Sequence, residues 1–196
     1  MDEHWLKVLD ISPAEIDRLM ILPGARYLGR RIAIEDWYYT HRGADLRGLG
    51  VQFRLRRLKQ EADVSIELAV KGPPETNDGE ETRSSWRQQY AGHNLATAGT
   101  LLEAFGFVVH TRRQKIRDTL AANPIEIQID SYPGIPTYAE LTGPLVQVTS
   151  ILETILRVPS ERVTRLTASG VFAHYGVADS RLVLFTAESD ETKLFR

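Results

Sequence analysis

Cationic side chains recur at alternate positions in several short segments that are otherwise typical of β-strands. Because successive side chains of a strand point to opposite faces, the cations of one segment share a face. Buried cations are tolerated only beside anions, and the arginine fork matches phosphate oxygens. The sequence therefore predicts a site for a strongly anionic small molecule, of which a triphosphate is the simplest. The candidate cations of these segments are Arg54, Arg56, Lys71, Arg113, Lys115 and Arg117.

Acidic and amide side chains alternate with isoleucines in the segment PIEIQID. Strand alternation places Glu126, Gln128 and Asp130 on one face, and it places Glu67 on the face of Lys71 in SIELAVKG. A single strand of this kind is typical of an ordinary half-exposed strand with its charges in water. Repetition over several strands, in a chain whose helices need an apolar sheet face to cover, favours charged faces that turn inward.

The elements that carry these residues are mainly strands. Strand patterns occur in ARYLGRRIAIEDWYYT, VQFRLRRLKQ, DVSIELAVKG, ETRSSWRQQY, FVVHTRRQKIRDTL, PIEIQID, TYAELT and RLVLFTAE. Only Glu61 and Ala62 separate the second and third of these segments, which predicts a hairpin. The segment KGPPETNDGEE has turn composition and predicts a loop.

Three segments predict helices. Ser12 followed by Pro13 and Glu15 predicts the capped start of the first helix, and Asn94 and Gly106 predict the two caps of the second. GPLVQVTSILETILRV predicts a third helix with one apolar stripe. The whole pattern predicts an α+β fold, an antiparallel eight- to nine-stranded β-barrel covered by helices on its outside.

Length and composition predict one domain over residues 1–196, with 42% hydrophobic and 26% charged residues as in an ordinary globular protein. The net charge of -2 argues against a dedicated nucleic-acid binder, although it allows a local basic site. The absence of cysteine excludes disulfides, zinc-thiolate sites and cysteine nucleophiles. The start MDEHWLKVLD lacks the features of a signal peptide, so we expect a cytoplasmic protein. The sequence contains no phosphate-binding P-loop, dinucleotide fingerprint or nucleophile elbow.

Seven short motifs occur in the order and spacing of a known family. They are EHWLK with Glu3 and Lys7, DWYYT, RLR with Arg54 and Arg56, LAVKGP with Lys71, RSSWR with Arg83, LLEAFGF followed by Lys115 and Arg117, and IQIDSYPGIPTYAELT with Asp130 and Glu140. Together they resemble the CYTH superfamily, the triphosphate tunnel metalloenzymes that include class IV adenylyl cyclases and thiamine triphosphatases. The resemblance spans residues 3–142 and implies a β-barrel tunnel whose cations hold a triphosphate.

The sequence departs from the family pattern at four carboxylate positions, which are occupied by Trp5, Ser85, Arg87 and Thr142. In the family, those carboxylates hold divalent metal ions that bridge phosphate oxygens. The resemblance implies that Mg²⁺ or Mn²⁺ is held by the acids that remain. These are Glu3, Glu140, Glu126 and Asp130. Arg87 adds a positive charge where a metal would lie, and it counts with the phosphate-binding cations. We therefore predict an intact anion site and a degenerate metal site.

Three functions follow from the resemblance and stay open at this point. The leading one is metal-dependent hydrolysis of inorganic triphosphate or of a nucleoside or thiamine triphosphate, with Lys7 and Glu140 in the catalytic roles. The second is a non-catalytic module that binds a nucleotide or polyphosphate, and the third is a cyclase-like lyase. The expected partner is a small-molecule triphosphate or nucleotide. A homodimer is allowed, and neither a membrane nor nucleic acid is expected.

Overall fold

The computed structural model describes residues 4–77, 80–91, 94–177, 180–186, 191 and 195, and it describes the backbone alone for 74–77 and 80–83. The strands are β1 (His4–Val8), β2 (Arg26–His41), β3 (Gln52–Gln60), β4 (Asp63–Asn77), β5 (Glu80–Ala91), β6 (Phe107–Ala122), β7 (Ile125–Ser131), β8 (Tyr138–Gly143), β9 (Val163–Thr164) and β10 (Leu182–Val183). The α-helices are α1 (Pro13–Met20), α2 (Leu95–Ala104), α3 (Leu145–Ser150) and α4 (Ala168–His174). Helix α3 continues as a π-helical segment, Ile151–Leu156, and a 3-10 turn spans Ser160–Arg162.

The strands follow the hydrogen-bonded order β5-β4-β3-β2-β6-β7-β8-β1-β9. Neighbours pair antiparallel in the series β2-β3-β4-β5 and in the series β6-β7-β8-β1-β9. The two-residue strand β10 joins β6 in parallel. The predicted α+β class with an antiparallel β fold is confirmed, and the described residues form a sheet of ten strands, where eight or nine were predicted.

Two compact units divide the chain, and the single domain predicted over 1–196 stays a prediction. Unit 1 comprises the chain through Ile32 and the segment Lys115–Ser180. One face of its strands is apolar and packs against α1, α3 and the π-helical segment. The buried core includes Val8, Leu19, Leu120, Ile127, Ile129, Leu141, Val148, Leu152 and Leu156. Val148 and Leu152 thus lie on the predicted helix stripe, whereas Leu145 in the first turn remains exposed.

Unit 2 comprises Ala33–Gln114 and the chain from Arg181 onward. Its core packs one face of strands β2, β3 and β4 against helix α2. The buried members are Tyr39, Phe53, Leu55, Ile66 and Leu95. In both units the apolar residues occupy alternate strand positions, so the polar residues between them lie on the opposite face.

The predicted helix starts are confirmed by their hydrogen bonds. Ser12 and Glu15 form a reciprocal capping box at α1, with Pro13 in the first turn. The Asn94 side chain accepts a hydrogen bond from the Thr97 N–H at the start of α2, and Gly106 follows the helix with φ +86°. Among the described residues, no helix combines the length and apolar composition needed to cross a membrane.

The loop predicted over KGPPETNDGEE is wrong, because β4 continues to Asn77 and β5 begins at Glu80. The pairing of β4 with β5 shifts register between Lys71 and Pro74, as at a β-bulge. Proline lacks the N–H that a regular ladder needs. A bulge leaves one residue of the strand unpaired, so proline is tolerated there. Of the terminal strand predicted over RLVLFTAE, the described residues 181–186 are in a strand only at Leu182–Val183 (β10), and the last two residues lie outside the description.

Candidate functional site

The polar face of unit 1 carries three rows of side chains that lie directly opposite one another on β6, β7, β8 and β1. The first row is Arg117, Asp130 and Tyr138; the second is Thr119, Gln128, Glu140 and Lys7; the third is Ala121, Glu126, Thr142 and Trp5. This register brings Lys7, Arg117, Asp130 and Glu140 to one face. It also places Trp5 directly opposite Thr142, the residues at two of the four altered carboxylate positions.

Asp130 is the anionic centre of the first row. Its carboxylate accepts hydrogen bonds from Lys115 Nζ at 2.8 Å and from Arg117 Nε and Nη2 at 2.6 and 2.7 Å. Burial alone would raise the pKa of Asp130, but the charges of Lys115 and Arg117 outweigh it and hold that pKa well below its usual range. Asp130 is thus an ionised, internally neutralised acid, and two of the predicted phosphate-binding cations are engaged with it.

Lys7 and Glu140 form the ion pair of the second row. Lys7 Nζ lies 2.6 Å from Glu140 Oε2, and the lysine side chain is 5% exposed against 28% for the glutamate. The same ammonium lies 3.9 Å from the centre of the Trp5 ring, a cation–π contact. The two predicted catalytic residues therefore neutralise each other, and the partly exposed Glu140 is the more accessible of the two.

The metal ligands implied by the family resemblance are dispersed. Glu3 lies outside the described residues, and the exposed Glu126 accepts a hydrogen bond from Gln128 Nε2 at 2.5 Å. Within the part of the chain that is described, no three His, Asp or Glu side chains are grouped closely enough to hold a metal ion. Glu140 and Asp130 already bond to cations, whereas Glu126 bonds to an amide, and the Mg²⁺ or Mn²⁺ ion stays a prediction.

The polar face of unit 2 carries a comparable set of rows on β2, β3, β4 and β5. One row is Asp36, Arg56, Glu67 and Gln89, and the adjacent row is Tyr38, Arg54, Ala69 and Arg87. We call the second of these the cationic row. A third row contains Gln52, Lys71 and Ser85. The prediction that Arg54 and Arg56 share a face opposite Phe53 and Leu55 is confirmed by this register.

Arg56 and Asp36 form a buried bidentate ion pair. Arg56 donates from Nε to Asp36 Oδ1 at 2.6 Å and from Nη2 to Oδ2 at 2.9 Å. Burial alone would lower the pKa of Arg56, but the Asp36 charge raises it, so the guanidinium stays charged. Two parallel charged hydrogen bonds make this pair a fixed structural anchor rather than an open binding site.

Arg54 is held less completely. Its Nη2 donates to Glu67 Oε1 at 2.8 Å, and its Nε lies 3.5 Å from Asp36 Oδ1 without forming a hydrogen bond. The side chain is 13% exposed. A buried N–H without an acceptor is uncommon in folded proteins, so Arg54 retains unused donor capacity on this face.

The remaining predicted cations of unit 2 differ in burial. Arg87 is exposed at the end of the cationic row and makes no ion pair within the described part of the chain. Arg113 is buried, with its guanidinium carbon 5.8 Å from the centre of the Tyr38 ring. Lys71 lies opposite Gln52 and Ser85. The backbone of Arg83 in β5 pairs with that of Pro74 in β4, and the Arg83 side chain lies outside the description.

Two site residues were missed when the sequence alone was considered. Asp36 is the acid that fixes Arg56, and Tyr38 occupies the cationic row beneath Arg113. Both lie in the DWYYT motif, and strand alternation places them together, opposite Trp37 and Tyr39. That alternation was a usable signal, but the identity of their partners required the register of β2 with β3.

The sequence matches no protein-family model and no curated protein. Several solved structures nevertheless share the fold, including those of three proteins. PH1819 of Pyrococcus horikoshii OT3 has a TM-score of 0.66 at 19% identity, over 88% of this chain and 99% of that one. A candidate adenylate cyclase of Vibrio parahaemolyticus has a TM-score of 0.65 at 17% identity, over 87% and 97%. HpAC1 of Hippeastrum, described with a dominant triphosphatase activity, has a TM-score of 0.55 at 16% identity, over 88% and 94%.

Proposed function

On the premise that this chain has the CYTH fold, we propose that it binds the triphosphate group of a small molecule. The observation that carries the proposal is the cationic row of unit 2. There, Arg54 and Arg87 flank the small side chain of Ala69 on neighbouring strands. Both guanidinium groups can therefore converge on an anion above Ala69, and the arginine fork suits phosphate oxygens.

The charges on this face support the same ligand. The described cations on or beside the three rows are Arg54, Arg56, Lys71, Arg87 and Arg113. The described acids of the first two rows are Asp36 and Glu67. Asp36 is taken up by Arg56, and Glu67 bonds to Arg54 through a single nitrogen. Arg54 and Arg87 therefore keep donors for a ligand on this face, and a triphosphate supplies an anion of several charges that can bond to both guanidinium groups.

The binding test is calorimetric titration of inorganic triphosphate into the protein and its variants. Arg54→Ala and Arg87→Ala should each weaken binding by about 10- to 100-fold, since a hydrogen bond to a charged group contributes about 1.5–3 kcal/mol. The matched control is Arg57→Ala, on the same strand as Arg54 but on its opposite face. Binding that is absent, or equally strong in the Arg54→Ala, Arg87→Ala double variant, would exclude the proposed site.

Hydrolysis of a triphosphate is the second candidate function. Glu140 is partly exposed and Glu126 is exposed on the polar face of unit 1, so a carboxylate is accessible there to accept a proton from water. HpAC1, with the same fold, is described with a dominant triphosphatase activity. Mg²⁺ and Mn²⁺, the cofactors that the resemblance implies, belong in this assay as added components.

One product assay separates the remaining functions. The protein is incubated with inorganic triphosphate or ATP, and phosphate, pyrophosphate and cyclic nucleotide are measured. Phosphate release that is lost in Glu140→Gln would support hydrolysis, whereas cyclic nucleotide with pyrophosphate would support a cyclase. Tight binding without either product would leave a binding module as the function.

A further inference from the structure

We propose that two copies of this chain pair through the edge of strand β5 that faces away from β4, antiparallel and about a two-fold axis at Gln88. Strand β5 ends the hydrogen-bonded strand order, and β4 is its one neighbour among the described strands. Every residue in the range 84–91 is exposed. An edge strand presents unpaired N–H and C=O groups along one side, which can pair with a further strand. This inference is independent of the proposed triphosphate binding.

The described part of this edge lacks the features that usually prevent edge pairing. Natural edge strands are protected by lysines, prolines or bulges. Residues 84–91 have the sequence SSWRQQYA, which contains one charged residue, Arg87, and no proline. The register shift against β4 lies between Lys71 and Pro74, so the pairing is regular from Ser85 to Ala91. A straight, nearly uncharged edge of this kind favours the addition of another strand.

Two aromatic side chains are exposed on the apolar face of this edge. Trp86 lies opposite Val70 and Tyr90 lies opposite Ile66, on the face that packs against α2 in strands β2, β3 and β4. Trp86 and Tyr90 are 50% and 52% exposed. A two-fold axis at Gln88 places Trp86 of each copy directly opposite Tyr90 of the other, so the pair occurs twice. Aromatic cross-strand pairs stabilise antiparallel strands, and these two pairs would bury rings that are half in water.

The charges on the polar face are complementary in the same register. Arg87 lies opposite Gln89 of the second copy, and the next residue in the row of Gln89 is Glu67. A cation thus meets an amide beside an acid. An axis at Arg87 would instead place two guanidinium groups directly opposite each other, which is unfavourable. A guanidinium has five N–H donors, so Arg87 can contact Gln89 of the second copy and a triphosphate together.

The first experiment measures the mass of the protein by sedimentation equilibrium at concentrations from about 1 to about 200 µM. We expect a monomer–dimer equilibrium in the parent chain. The Trp86→Lys, Tyr90→Lys double variant places lysine opposite lysine twice, and it should raise the dissociation constant of the dimer at least about 100-fold. The Trp86→Lys, Tyr90→Glu double variant differs at one position and places lysine opposite glutamate twice. It should therefore recover the dimer.

The second experiment uses the absence of cysteine from the chain. Gln88→Cys places the thiols of the two copies directly opposite each other, at a Cα separation that a disulfide can bridge. Diamide, as the oxidant, should convert the two thiols into one disulfide, and denaturing electrophoresis should show a covalent dimer. Gln89→Cys is the matched control on the adjacent residue. Its thiol lies opposite Arg87 of the second copy, so this variant should remain a monomer on the gel.

Three results would overturn the proposal. A parent that stays monomeric over the whole concentration range would leave this edge to a strand of another protein or to water. A dimer that persists in the double-lysine variant would show that the copies meet through another surface. No recovery in the Trp86→Lys, Tyr90→Glu variant, or a disulfide in Gln89→Cys in place of Gln88→Cys, would reject the register. Circular dichroism of each variant establishes that it is folded before its mass is compared.

Discussion

Arg56 illustrates how much a single buried cation of this face contributes to the folded state. Its two hydrogen bonds to Asp36 are short, and the Asp36 side chain is 2% exposed. We predict that Arg56→Ala lowers the free energy of unfolding by about 3–5 kcal/mol, because it leaves a buried carboxylate without its main partner. Urea denaturation of the parent and the variant measures this loss.

Arg57→Ala is the internal comparison, since Arg57 lies next in sequence on the opposite face and bonds to the Phe195 carbonyl. Arg57→Ala should lower the free energy of unfolding by less than about 1 kcal/mol, which is the usual contribution of a partly exposed polar contact. Equal losses of unfolding free energy in Arg56→Ala and Arg57→Ala would mean that the buried Arg56–Asp36 ion pair stabilises the protein no more than the Arg57–Phe195 hydrogen bond does.

At the residue scale, sequence reasoning located cations better than their partners. The alternation of Arg54 and Arg56, and of Lys115 and Arg117, followed directly from strand geometry. Which acid neutralises which cation depended on strand register, and a shift of one residue would have moved every side chain to the other face. The pairing of Asp130 with two cations at once therefore became visible only in the folded chain.

Helix α1 is tied to the rest of unit 1 through Glu15. Its carboxylate bonds back to the N-cap Ser12 and receives two hydrogen bonds from Arg162, at 2.9 and 3.0 Å. The Arg162 hydrogen bonds, with those of Ser12, lower the pKa of Glu15 from 4.5 to about 2, against the opposing effect of burial. Glu15 is thus ionised in the folded chain at pH values where the unfolded chain binds a proton.

This pKa difference predicts the sign of a pH effect. The contribution of Glu15 to stability should be complete above pH 4.5 and should be lost as the pH falls from 4.5 toward about 2. Urea unfolding at neutral pH and near pH 3 measures the loss, and Glu15→Gln should reduce the difference between the two conditions. An unchanged difference in that variant would assign the acid sensitivity to other carboxylates.

Helix α2 approaches β2 closely at Gly99. A Cβ atom at this position would lie 2.9 Å from Trp37 Cζ3 and 3.2 Å from the Tyr39 hydroxyl. We predict that Gly99→Val destabilises the protein by about 1–3 kcal/mol, because the buried Tyr39 ring and the partly buried Trp37 ring would have to move. Thr100→Val adds the same side chain at the adjacent exposed position, and thermal denaturation of both variants should show a loss confined to Gly99→Val.

At the scale of elements, capping signals were more informative than composition. Ser12, Glu15 and Asn94 act through hydrogen bonds to nearby backbone groups, so their local pattern sufficed. The turn-like composition of KGPPETNDGEE was misleading, since pairing with β5 and a register shift after Lys71 accommodate its prolines in a strand. The π-helical continuation of α3 likewise has no distinct signature in the apolar periodicity.

For the molecule as a whole, the balance of charge favours a small anion over a polymer. Twenty-four lysines and arginines are offset by twenty-six acids, a net charge of -2, so no long-range positive field draws in nucleic acid. We predict that single-stranded RNA binds more weakly than inorganic triphosphate and loses affinity steeply with salt. Competition measured by fluorescence anisotropy tests this, and RNA that displaces triphosphate at comparable concentrations would contradict it.

The α+β class of the whole chain followed from its run of strands, whereas the composition of its two units did not. Each unit joins segments that are far apart in sequence, such as the chain through Ile32 with Lys115–Ser180. No local pattern indicates that β1 lies between β8 and β9, because that placement is decided by which apolar faces pack together.

The three tryptophans lie in both units, so their intrinsic fluorescence can report on each unit. Trp5 touches the Lys7 ammonium in unit 1, whereas Trp37 and the half-exposed Trp86 belong to unit 2. A chain with Trp37→Phe and Trp86→Phe would emit from the indole beside Lys7 alone, and a chain with Trp5→Phe would emit from unit 2 alone. Matched spectra of these two chains would follow each unit separately, without an added dye, during unfolding and during titration with ligand.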